Sequence, residues 1–300
     1  MFASLPCGQV AAGLMADRVR RLVGLQADVL ADRDPEALHQ MRVSVRRLRS
    51  TLEQFAPALQ LPEAASPQRI ARIGQRLGLT RDLDVLRQRL DEQLLPQLPE
   101  RELRQLKPLF KQLKRERALA FEELADTLQG RRYLKLLAAL QRWLKQPALT
   151  PLGQEPLAAW RAELVQAVLA GLTVLPGWWA ANPYDAEAIA HLHRLRRRIK
   201  KARYGLSNLE PLEPERIAPW VQRLRRLQEL LGDLNDLQLI DAALHRQLDG
   251  QPDQLLPGLC SVMAEIRSCS WQQWQELVAE VQSPAQRSAL LALGRDGRGT

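Results

Sequence analysis

Apolar residues recur at three- and four-residue steps along most of the chain, the period of a helix that buries one face. Leu38, Met41, Val45, Leu48, Leu52 and Phe55 form one such stripe. Alternating apolar and polar runs and Asn-Gly hairpin turns are missing, and good helix formers (Leu, Ala, Gln, Arg, Glu) dominate, so the pattern predicts an all-α fold. Breakers cut it into helices. Asp34-Pro35-Glu36 opens a helix from Pro35 to Phe55, with Asp as N-cap and Pro in the first turn. Pro57 and Pro62 close it, Ser66-Pro67 opens the next, and Pro96 and Pro99 punctuate the one after. The loop-like stretch from Gln146-Pro147 to Gly153 is expected to separate an N-terminal half, 8–147, from a C-terminal half, 154–285, with 286–300 as a tail that frays after Gly294. A second irregular stretch runs from Gly171 to Pro183 and holds Trp178-Trp179.

The halves repeat one another. Shifted by 154 residues, Leu38-His39 falls on Leu192-His193, Arg42 on Arg196, Arg49 on Arg203 and Leu52 on Leu206. Arg46-Arg47 falls on Lys200-Lys201. At the same offset Arg69 meets Arg223, Arg72 meets Arg226, Leu77-Gly78 meets Leu231-Gly232, and Asp82-Leu83 meets Asp236-Leu237. One constant offset through two separated blocks points to a duplicated helical bundle whose halves pack about a pseudo-two-fold axis. The start of the second-half helix is expected to lie toward Asn182-Pro183-Tyr184-Asp185, because Asp34-Pro35-Glu36 has no counterpart at the constant offset.

The 300 residues carry 43 Lys+Arg against 34 Asp+Glu, a net charge of +9, with seven lysines and thirty-six arginines. A GC-rich genome can raise arginine content, but position along the chain adds information. His39, Arg42, Arg46 and Arg49 are spaced three, four and three residues apart, which aligns them one per turn beside the apolar stripe. His193, Arg196, Lys200 and Arg203 repeat that register, in a stretch from His191 to Arg203 that contains no acid. Such a helix repels itself until an anion neutralises it, and a solvated face has no reason to keep register in two copies. His39 and His193 are two of only four histidines and each heads a basic stripe. Asp82 and Asp236 are the matched acids, each expected to orient a basic side chain of the adjacent helix. Gly78 and Gly232 are expected to allow a close crossing or to mark a helix end.

The sequence also narrows the function classes. It has no P-loop, no Gly-x-Gly-x-x-Gly, no His-Glu-x-x-His and no Cys-x-x-Cys, so the readable chemistry is anion binding rather than phosphoryl transfer or metal catalysis, and no cofactor is expected. The seven tryptophans read as packing residues, with no aromatic platform interleaved among the basic stripes as single-stranded nucleic acid would favour. Three cysteines at unrelated spacings, no secretory leader, and no apolar run near the 18–20 residues of a membrane span lead to the expectation of a cytoplasmic protein with no membrane partner.

The helix from Leu38-His39-Gln40-Met41-Arg42 through Arg46-Arg47-Leu48-Arg49 resembles the signature helix of the CHAD domain, the conserved histidine α-helical domain. Leu77-Gly78-Leu79-Thr80-Arg81-Asp82-Leu83-Asp84-Val85, His193 to Tyr204, and Leu230-Leu231-Gly232-Asp233-Leu234-Asn235-Asp236 are similar to its further motifs. The resemblance spans about residues 8–285. It implies two four-helix bundles around a basic central cavity, and binding of inorganic polyphosphate without hydrolysis. Carried over by position, the ligands would be His39, Arg42, Arg46, Arg47, Arg49, His193, Arg196, Lys200, Lys201 and Arg203, with Arg72, Arg226, Lys114 and Arg117 as weaker counterparts. The family is often fused to a triphosphate-tunnel domain with a Glu-x-Glu-x-Lys motif, which this sequence lacks, so that catalysis is not expected. Polyphosphate granules or polyphosphate-metabolising enzymes are the partners the resemblance suggests. The competing readings are a basic nucleic-acid-binding protein and, less favoured by the motifs, a phosphate-processing enzyme acting through His39 or His193.

Overall fold

The computed structural model describes residues 3–248 and 251–295, and among them every regular element is helical. The N-terminal half contains α1 (Cys7–Ala31), α2 (Pro35–Gln54), α3 (Pro67–Arg89), α4 (Glu100–Gln105), α5 (Lys107–Gln129) and α6 (Arg131–Lys145). The C-terminal half contains α7 (Pro151–Gln154), α8 (Leu157–Leu169), α9 (Ala186–Leu209), α10 (Pro214–Gln247), α11 (Pro252–Leu255), α12 (Pro257–Val281) and α13 (Pro284–Ala292).

Local chemistry sets the ends of the two helices that matter most. Asp34 accepts a hydrogen bond from the Glu36 N–H (2.8 Å) and Pro35 occupies the first turn, so α2 starts where the sequence expects. Asn182 accepts from the N–H groups of Tyr184 (2.8 Å) and Asp185 (3.0 Å), and this turn launches α9 at Ala186. The stripe Leu38, Met41, Val45, Leu48, Leu52 and Phe55 is buried, as is its counterpart Leu192, Leu195, Ile199, Ala202 and Leu206. That places the basic residues one position further along each helix at the edge of the core.

Two apolar cores form, and both draw on both halves. The larger joins α1–α3 to α8–α10, and stacks Trp178 on Trp274 with ring centroids 5.9 Å apart. The smaller joins Leu90, Leu94, Leu106 and Leu109 to Leu237, Ile240, Leu256 and Leu259. There, the buried Glu102 of α4 accepts the N–H groups of Gly258 (2.8 Å) and Leu259 (2.9 Å), capping α12 from the other half of the chain.

Two expectations need correction. Residues 286–292, expected as tail, belong to α13, which Ser283 caps through the Gln286 N–H (3.4 Å); of the stretch expected to fray after Gly294, residues 296–300 lie outside the described residues. The sequence also does hold an apolar run of membrane-crossing length, Leu157–Val174, with mean hydropathy 1.3 over 18 residues. In the structure α8 ends within it, at Leu169, and buries Leu157, Val165 and Val168 in the larger core. Its Arg161 is also buried and donates to Glu213 (2.8 Å) and to the Leu293 carbonyl (2.9 Å).

Candidate anion site at the α2–α9 seam

Helices α2 and α9 pack directly on each other. Asn208 donates to Gln54 (2.9 Å), two residues exactly one repeat of 154 apart. Beside them, Thr51 donates to Asn208 (3.4 Å) and Gln54 donates to the Gly205 carbonyl (3.2 Å). The repeat offset carries Thr51 onto Gly205 and Asn208 onto Gln54, so each of these contacts maps onto the other.

One turn further along, the basic stripes meet. Arg46 donates to the Tyr204 hydroxyl (3.2 Å), and Arg203 lies over the same ring, 4.2 Å from its centroid. Burial pushes the Tyr204 phenol upward, but the charges of Arg46 and Arg203 outweigh it and the net shift is down. Burial, then Arg196, Arg46 and Arg42, push the Lys200 amine down to about 7, with Asp82 opposing. Burial likewise lowers Arg42, Arg196 and Arg203; Arg46 and Arg81 add to the shift of Arg42, and α2 arginines (Arg42, Arg46, Arg47) add to those of Arg196 and Arg203 across the seam. Five cations from two helices therefore share one partly desolvated region and pay for it in mutual repulsion.

The matched glycines and aspartates act on the matched arginines. A Cβ at Gly78 would sit 3.8 Å from Arg42 Nη2, and one at Gly232 would sit 3.4 Å from Arg196 Nη2, so each guanidinium lies across a glycine of the neighbouring helix. Asp82 pairs with Arg42 at 2.8 Å, as the repeat predicts. Asp236 differs. Its closest cation is Arg89 of the other half, which donates to it (3.4 Å) and to Asp233 (2.6 Å). Arg196 feels Asp236 only through space, and its buried Nε has no hydrogen-bond partner. Burial holds the Asp236 carboxyl above its ordinary range, with Arg89 and the Asn235 amide pulling it back.

The other residues singled out from sequence are placed as follows. His39 is partly buried, and burial and the Arg81 charge hold its imidazole below its ordinary 6.5. His193 Nε2 lies 2.9 Å from Gln238 Oε1. Arg47 lies near enough to weaken Arg203. Arg49 and Lys201 turn outward to one carboxylate, Glu53, at 2.8 and 3.9 Å. Lys114 and Arg226 are exposed on α5 and α10. Arg72 is exposed on the wall of a large cavity within the N-terminal half. Arg117 is ion-paired with Asp32 and with Asp84 (2.9 Å), and those carboxylates hold it well above its ordinary value, so its charge is compensated within the fold. The sequence reading missed three side chains, Tyr204, Arg81 and Arg89. Tyr204 and Arg81 lie inside motifs quoted above, but their repeat partners are Ser50 and Asn235, and that of Arg89 is Ala243, so the duplication could not flag them. Among the described residues no cluster of three or more His, Cys, Asp or Glu is placed to hold a metal ion.

The architecture is that of an all-α protein in which Arg42 and Arg46 of α2 share one partly buried region with Arg196, Lys200 and Arg203 of α9. The CHAD domain family model matches residues 13–245, and the chain belongs to the CHAD domain family. The crystal structure of the CHAD domain from the plant Ricinus communis superposes with a TM-score of 0.67 at 26% identity, covering 97% of this chain and 94% of that one. PptA from Streptomyces chartreusis shares the fold, with a TM-score of 0.65 at 19% identity over 95% of this chain and 99% of its own. The uncharacterized protein Rv2226 of Mycobacterium tuberculosis is 29% identical over 242 residues, 74% of this chain, and the chain spans 44% of that relative's length.

Proposed function

We propose that this protein binds inorganic polyphosphate along the α2–α9 seam and does not cleave it. The observation that carries the reading is the convergence of Arg46 with Arg42, Arg196, Lys200 and Arg203, the last four depressed by burial and by neighbouring cations, against Asp82 and Asp236. A cluster of this kind is relieved by a ligand with charge spaced along its length, and a phosphate polymer supplies about one negative charge per unit. Partial burial strengthens each contact beyond its worth on an open surface. Arginine forks suit phosphoryl oxygens, and Gly78, Gly232 and Asp82 fix where the forks lie. The family's association with polyphosphate supports the same ligand.

The finer architecture belongs to this proposal. In it the two halves are four-helix bundles related by a pseudo-two-fold axis through the Gln54–Asn208 contact, and the basic region lies between them. A contact between residues one repeat apart, flanked by two contacts that exchange under the offset, is what an isologous interface produces, which supports the axis.

Binding of long-chain polyphosphate by Arg42→Ala/Arg196→Ala tests the site. The double variant is expected to keep its helical circular dichroism and lose binding; unchanged affinity would place the site elsewhere. Affinity for the wild type should fall steeply with salt through counterion release. Duplex or single-stranded DNA that displaced polyphosphate at equal phosphate concentration would refute the specific reading, and orthophosphate released from polyphosphate and Mg²⁺ would refute binding without cleavage.

A further inference from the structure

The cavity on whose wall Arg72 lies measures about 1290 Å³, is open to solvent, and is lined by α3, the last turn of α5 and the first turn of α6. Six arginines line it against two aspartates, and one of those, Asp82, is already paired with Arg42. Of the arginines, Arg76 is ion-paired with Glu123 and Arg69 donates to the Ala64 carbonyl (3.2 Å). Arg72, Arg131 and Arg132 have no ion pair among the described residues.

Two further features adjoin this space. The 15-residue α6 begins at the cavity wall with Gly130 as its N-cap and no side chain capping it, so its first N–H groups and the positive end of its dipole are available. Tyr133, 2% exposed, lines the same cavity, and its hydroxyl has no hydrogen-bond partner. A buried, unpaired hydroxyl is costly to keep unless a ligand uses it. Burial pushes its pKa up to about 12, so it stays a proton donor.

We infer that this cavity is a second anion site, which takes a short oligophosphate through Arg72, Arg131, Arg132, the Tyr133 hydroxyl and the α6 N-terminus. Every free group named is a donor, and the surplus of arginines calls for a compact anion of several charges rather than a single carboxylate. The cavity meets the seam at Arg42, which belongs to both. Its occupant is either the end of a polymer lying on the seam or a separate short oligophosphate. The inference goes beyond the seam reading and does not depend on it.

Calorimetric titration of the full chain with inorganic tripolyphosphate tests it. Arg72→Ala/Arg132→Ala, both at exposed positions, is expected to weaken tripolyphosphate binding more than tenfold. Tyr133→Phe is expected to weaken it about tenfold, the worth of a hydrogen bond to a charged group. Its melting temperature without ligand should stay the same or rise, since the hydroxyl has no partner to lose. The seam variant Arg196→Ala/Lys200→Ala should still bind tripolyphosphate. If both cavity variants bind it as the wild type does, or the wild type does not bind it, the inference is overturned while the seam reading stands. Long-chain polyphosphate then distinguishes the sources. Weakened binding by the cavity variants identifies the occupant as the polymer's end, and unchanged binding identifies it as a separate small anion.

Discussion

Raising the pH from about 7 to about 8.5 should weaken polyphosphate binding about fifteenfold through one amine. Lys200 sits among Arg42, Arg46 and Arg196, and burial with those charges brings its pKa from 10.5 to about 7. Without ligand, about half of the Lys200 amines are protonated at pH 7 and about 3% at pH 8.5. A phosphate chain reverses the local field and returns the bound pKa toward its ordinary value, so binding at pH 8.5 must take up close to one proton. Affinity therefore falls as pH rises above about 7, and in the range where the free amine is neutral it falls about tenfold per pH unit. Calorimetry in buffers of different ionisation enthalpy measures the uptake directly. Lys200→Arg keeps the charge and removes the titration, so its affinity should be nearly flat over this range. His39, held below its ordinary 6.5, contributes alike to both proteins, and the difference between them reports Lys200. Equal proton uptake by wild type and Lys200→Arg at pH 8.5 would refute the argument. The same shift has a stability consequence of fixed sign. Between about 7 and 10.5 the unfolded chain holds a proton that the folded protein lacks, so the unliganded protein gains stability as pH rises through that window.

Two substitutions test the packing. Gly78→Ala places a Cβ at ordinary contact distance, 3.8 Å from Arg42, inside a helix, and should stabilise by about 0.5–1 kcal/mol in urea unfolding. Gly205→Ala places one 2.4 Å from Val168 Cγ2, where α9 meets α8, and should destabilise by about 1–3 kcal/mol in the same assay. Glu102→Ala leaves the Gly258 and Leu259 N–H groups without their acceptor and should cost about 2 kcal/mol by denaturant titration; a loss under about 0.5 kcal/mol would mean that water replaces the carboxylate freely.

What was legible in the sequence was what depends on local spacing or on repetition. The helix from Pro35 follows from its cap and its apolar stripe, and the basic register beside it follows from the same count. The duplication picked out Arg42 with Asp82 and Gly78, and the structure places those three together. The less legible features break the repeat or join distant segments. Asp236 keeps its place, but Arg89 has taken the role that the repeat gave Arg196, and Arg89 faces Ala243 in the alignment. Arg117 looked like a free cation because its carboxylates come from distant segments, Asp32 from the turn after α1 and Asp84 from α3. The orphaned Tyr133 hydroxyl left no trace either, since a tyrosine on an apolar helix face reads as core whether or not its oxygen is paired.

The cap that Glu102 places on α12 also sets an order of events during synthesis. The carboxylate emerges 156 residues before the first N–H group it will bind. At about 5–20 residues per second, the ribosome needs about 8–30 s to deliver that partner, and until then the smaller core also lacks Leu237, Ile240, Leu256 and Leu259. The first half therefore waits, with an uncompensated acid and an apolar face exposed, for nearly the whole of the second. Chaperone occupancy on nascent chains should persist until the segment around Gly258 has left the exit tunnel.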